Sequence, residues 1–137
     1  DNGNTTSVVG GASLQSQMAG TFRFNTVAGN QTDNSAFASG VVCSGNTAPT
    51  SNIVWGNTGS ANVLGCAWSY SDVQGGQSGT MNLAVDPRFV SASDYHLQAS
   101  SPCQGAADPA GGVTVDVDGD SRPEGTGYDM GADEVRE

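Results

Sequence analysis

A chain of 137 residues has room for one hydrophobic core and not for two, and 20 glycines spread along it argue against helical packing. Four basic residues, all arginine, face fourteen acidic ones; the formal net charge of -10 argues against nucleic acid as a partner, since phosphate binding needs a basic footprint, and disfavours an anionic membrane. From Asp108 onward nine acids stand against Arg122 and Arg136, so seven of the ten net charges belong to the tail. With 36% apolar and only 13% charged residues, the composition is that of an ordered, turn-rich fold rather than a disordered chain. No apolar run approaches the length needed to insert into a membrane.

No useful stretch keeps an apolar stripe at helical spacing. Short β-type runs take its place. Ser7 to Val9, Gly20 to Phe24, Gly40 to Cys43, Asn52 to Trp55, Asn62 to Leu64, Ala67 to Val73 and Asp94 to Leu97 are each bounded by Gly, Asn, Ser or Pro, the punctuation expected of strands between tight turns. Asn25-Thr-Val-Ala-Gly-Asn30 aligns with Asn52-Ile-Val-Trp-Gly-Asn57, and Ser71-Asp-Val-Gln-Gly-Gly76 aligns again further on. One short strand and one Gly/Asn turn per repeat is what a coiled solenoid produces, with the valines stacking in a narrow core. Asn30 over Asn57 is a candidate for an asparagine ladder, a surface-turn role being the alternative.

The motifs Asn52-Ile-Val-Trp-Gly-Asn, Tyr70-Ser-Asp-Val-Gln-Gly-Gly, Ala84-Val-Asp-Pro-Arg-Phe-Val90, Asp94-Tyr-His-Leu-Gln98 and Ser101-Pro-Cys103 occur in that order. They are followed by Asp116-Val-Asp-Gly-Asp-Ser-Arg-Pro and Tyr128-Asp-Met-Gly-Ala-Asp-Glu134. Together, over roughly residues 50 to 134, they resemble the C-terminal region of bacterial right-handed parallel β-helix repeat proteins. Arg88 stands where that pattern usually carries an apolar residue, and Gln104 to Asp108 also departs from it. The resemblance implies a secreted or cell-surface protein and an all-β fold, a right-handed parallel β-helix. On this reading residues 1–108 form the coils and residues 109–137 an acidic C-terminal cap of the same domain.

Within such coils Cys43 and Cys66 stand one turn apart, where strands are about 4.8 Å from each other, so a disulfide is feasible and stacked thiols are the alternative. Cys103 is then left as a free, buried thiol.

The tail carries the densest chemistry. Asp116, Asp118 and Asp120 alternate as an EF-hand loop begins, yet Ser121 and Gly127 occupy the positions that motif reserves for glycine and glutamate. A non-helical Ca2+ loop from Asp116, Asp118 and Asp120 with help from Asp129 is one reading. A metal-free cap in which Arg122 bridges carboxylates, with Asp133 and Glu134 in the same cap, is the other.

For catalysis the raw material is thin. Lysine is absent, and His96, the sole histidine, reads as a surface or capping residue rather than a catalytic one. Trp55, Trp68 and Tyr70 read as core or turn residues, with a sugar-stacking platform as the alternative. The expected function is therefore a non-catalytic structural or adhesion module. It would be part of a longer β-helix or a subunit that self-associates head to tail through an uncapped start. The rival is a glycan-binding or Ca2+-dependent polysaccharide-lyase module.

Overall fold

Short apolar pairs set between glycine and asparagine turns become strands of only two to four residues. The computed structural model describes residues 11–15, 21–33 and 38–136. In chain order the strands are β1 (Ala12–Gln15), β2 (Thr26–Ala28), β3 (Val41–Ser44), β4 (Ile53–Trp55), β5 (Val63–Leu64), β6 (Asp72–Val73), β7 (Phe89–Ser91) and β8 (Asp94–Leu97). The expected strand Ser7–Val9, the start of the chain and the first residue of the run from Gly20 lie outside the described residues.

The strands form two parallel three-stranded sheets, β1-β3-β5 and β2-β4-β6, and one antiparallel pair, β7-β8. Thr26 lies opposite Ile53, and Ile53 opposite Asp72, so shifts of 27 and 19 residues are the registers of the second sheet. Gly29 and Gly56, at φ 68° and 67°, end β2 and β4 at equivalent points of that register. Only glycine takes such a turn without a Cβ penalty. Asn57 Oδ1 accepts from both the backbone N–H and Nδ2 of Asn30, each at 3.0 Å, and Asn52 Oδ1 does the same for Asn25. Side-chain amides thus tie β2 to β4 at both ends.

Alternation along β4 divides the core into two layers. Val54 is fully buried in an inner layer between the sheets with Val41, Cys43, Val63, Trp68 and Val73, joined by Val27. Its neighbour Ile53, also fully buried, faces the opposite way into an outer layer with Phe24, Leu97, Cys103, Ala107 and Met130. A strand buried on both faces is the expected position for consecutive Ile-Val.

The outer layer corrects the expected architecture. The chain is not a right-handed parallel β-helix closed by an acidic end cap: it is a small all-β fold of three short sheets, with no helix among the described residues and no solenoid stacking. Parallel pairing steps down from 29 to 22 residues in one sheet (Ala12 to Val41 to Val63) and from 27 to 19 in the other, and the third strands shrink to two residues. After Val73 the chain makes an antiparallel hairpin, and the acidic tail then returns along the outer face of β2-β4-β6. Met130 enters the core beside Ile53, Gly131 N–H bonds Ser51 O at 3.0 Å, and Ala132 N–H bonds Thr26 Oγ1 at 3.1 Å. A sheet with an apolar outer face must be covered somewhere. The hairpin and tail supply that cover, which is a side layer and not an end cap. No helix among the described residues is long and apolar enough to cross a membrane.

Candidate functional site

The acidic tail and strand β8 meet at one edge of this outer layer. Asp94 and His96 lie two residues apart on β8 and so share a face. Asp94 Oδ1 accepts the His96 backbone N–H at 3.2 Å and lies 2.5 Å from its ring Nδ1. On the other side His96 Nε2 lies 2.8 Å from Asp118 Oδ2. Asp94 first of all, with lesser help from Asp133 and Asp118, holds the imidazole pKa above its ordinary value against an opposing effect of burial.

Asp118 is presented by a tight loop that Asp116 organises. Asp116 Oδ1 accepts the backbone N–H groups of Asp118 at 2.9 Å and Asp120 at 2.8 Å, and its Oδ2 accepts that of Glu134 at 3.1 Å. Burial alone would raise its pKa, but these three donors and the Arg122 charge together hold it below the usual carboxylate range. Asp120 is taken by Arg136 in a two-pronged ion pair at the surface. Asp133 is buried, its Oδ2 accepting the Leu97 N–H at 2.6 Å, and burial pushes its pKa upward.

Asp116, Asp118 and Asp120 are thus brought together, each offering an oxygen within 4.8 Å of the others, and His96, Asp118 and Asp133 form a second group of the same tightness. Asp129 is not with them. It is buried with Oδ1 on the Gly105 N–H at 2.7 Å and Oδ2 on the Val135 N–H at 2.9 Å. Burial lifts its pKa to about 6 despite those donors. Arg122 does not bridge the Asp116–Asp120 loop either. It is buried, its Nε bonding Glu134 Oε2 at 2.9 Å while its other nitrogens donate to the carbonyls of Gly131 and Asp129 at 3.0 and 2.6 Å. Its guanidinium carbon lies 4.5 Å from the centroid of the Phe24 ring. Glu134 also accepts the N–H groups of Glu124 and Asp129.

Cys43 and Cys66 form the disulfide, and Cys103 is the free buried thiol. Trp55 packs against the outer layer and Trp68 is buried in the inner one, on opposite faces of the β2-β4-β6 sheet, so the two tryptophans build no shared platform. Tyr70 follows two residues after Trp68, at a positive φ of 46°.

Two features have no counterpart in the sequence expectation. His96 and Asp133 are 37 residues apart, and only the folding-back of the tail joins them. Asp72 is the other: it is fully buried, with Oδ1 on the Val85 N–H at 3.2 Å and Oδ2 facing the Cys103 thiol at 3.4 Å. Burial raises its pKa to about 6, and the same burial, with Asp72 beside it, pushes the thiol upward as well. The repeat alignment held the signal, because it sets Asp72 in register with Ile53. Comparisons with protein-family models, with curated proteins and with solved structures find no match, so the β-helix repeat resemblance rests on its motifs alone.

Proposed function

We propose that the chain is a non-catalytic structural or adhesion module that works outside the cell. The observation that carries this reading is how the tail's acids are used. Asp116 and Asp129 are engaged by backbone N–H groups, Glu134 by Arg122 and Asp120 by Arg136. A hydrolase needs two facing carboxylates in an open groove, and a lyase a base beside an acidifying cation. Here these four acids are engaged in holding the tail in its fold.

The Cys43–Cys66 disulfide supports an oxidising, extracellular setting. Val115 and Val117 stand exposed beside a cavity of about 250 Å³ lined by Arg23, Phe24, Val113 and Arg122, which supports contact with a further chain, either a second copy or a larger assembly. Incubating the purified chain with acidic and neutral polysaccharides, with and without Ca2+, tests the reading. Unchanged glycan length is expected, and Ca2+-dependent cleavage would overturn it. Sedimentation and electron microscopy of the same material then separate discrete particles from fibres.

A further inference from the structure

We infer that His96, Asp118 and Asp133 form a binding site for a first-row transition-metal dication, of which Zn2+ is the representative probe. The three ligand atoms lie within 4.8 Å of one another and come from three separate segments. They are gathered by tertiary packing and are not a local run of acids. A mixed set of one imidazole nitrogen and two carboxylate oxygens suits zinc and its neighbours; calcium and magnesium take oxygen ligands.

The independent observation is Asp94, which is not one of the three. Its Oδ1 lies 2.5 Å from His96 Nδ1. With Nδ1 turned to that carboxylate, Nε2 is the nitrogen left to face the tail, where it contacts Asp118 Oδ2 at 2.8 Å; a metal would take the place of the proton in that contact. A carboxylate on the far nitrogen of a ligating histidine is the usual outer support of such a site. Asp133 is supported in the same way, the Leu97 N–H fixing its Oδ2 at 2.6 Å. Two carboxylates and a neutral imidazole carry two negative charges, which a dication cancels. Three protein ligands leave one position of a tetrahedron for water or for a donor from another molecule. A metal held there would tie β8 directly to the tail and reinforce the outer layer.

The competing state is a protonated His96 paired with Asp94 and Asp118 and holding no metal. Titration calorimetry of the chelator-treated full chain with Zn2+, Ca2+ and Mg2+ distinguishes the two. One Zn2+ per chain is expected, bound more tightly than either hard cation, with a rise in melting temperature on Zn2+ addition. His96→Gln, a half-exposed position whose replacement leaves the core untouched, should abolish both effects. Asp94→Asn, acting only as a positioning change, should weaken Zn2+ about 10- to 100-fold. The bound Co2+ spectrum should show nitrogen ligation in the parent and lose it in His96→Gln. No Zn2+ binding by the folded parent, Zn2+ binding that persists in His96→Gln, or a preference for Ca2+ would each overturn the assignment.

Discussion

Replacing Asp72 by asparagine should stabilise the protein at neutral pH and do almost nothing in acid. Asp72 occupies the outer-layer position that Ile53 fills one strand away, fully buried, with only an N–H and a distant thiol for partners. Its pKa rises from 3.8 to about 6, chiefly through burial, with the Asp86 charge adding to the rise. The folded state therefore binds this proton more tightly than the unfolded state does. The stability that the neutral form contributes is complete below pH 3.8 and is lost as pH rises through about 6. That displacement corresponds to about 3 kcal/mol between the two limits. Asparagine keeps the acceptor for the Val85 N–H, nearly the same volume, and no charge. At pH 7.5 the variant should gain about 1–3 kcal/mol, and at pH 4 the gain should fall close to zero. The assay is urea unfolding of parent and variant at both pH values without reductant. Taking the difference between the two proteins at each pH removes the contribution of Asp129, which also titrates near 6. A variant less stable than the parent at pH 7.5, or one shifted equally at both pH values, would refute the assignment of a buried, ionised Asp72.

Arg122→Ala should cost about 3–5 kcal/mol, because it strands Glu134 in the core and leaves three tail carbonyls without a donor. Arg122→Lys should recover little of this, since an ammonium cannot reproduce the planar fork; full recovery in chemical denaturation would count against the buried network. Reducing the Cys43–Cys66 bridge, which spans 23 residues, should lower stability by about 3 kcal/mol, and calorimetry with and without reductant reads it directly. Asn57→Ala removes the acceptor for two Asn30 bonds and the donor to Val27 O and Asn62 Oδ1, for a loss of about 2–3 kcal/mol. An Asn57→Ala midpoint within error of the parent would mean that the amide pairing is decorative.

The parts of the fold written in neighbouring residues are legible in the sequence. The registers of β2, β4 and β6 follow from aligned Val-x-Gly units, because a valine and a turn glycine recur together wherever a strand must pack and then reverse. The disulfide is legible as one of two readings, beside stacked thiols, because Cys43 and Cys66 stand 23 residues apart, close to the repeat period. The outer layer was not legible, since its apolar contacts come singly: Val113, Tyr128 and Met130 are scattered among glycines and acids with no period to betray a common face. The same scatter made the tail look like an end cap. In the sequence Asp129 reads as one more ligand in an acidic run, whereas its burial depends on backbone donors that only the folded tail supplies. His96 looked solitary because its partners, apart from Asp94, arrive from the far end of the chain.

The bond from Ala132 to Thr26 joins residues 106 positions apart, and Met130 completes a layer whose first member is Phe24. Contacts of such long sequence separation form late and slow folding, because the loop between them must close before they can contribute. During synthesis the two parallel sheets would leave the ribosome with the outer face of β2-β4-β6 still bare. A nascent or truncated chain lacking the last dozen residues would lose Tyr128 and Met130 from that layer and leave Ile53 and Phe24 only partly covered. Pulse-labelled truncation series should therefore show protease resistance arriving in one step, only when the segment around Met130 has been made.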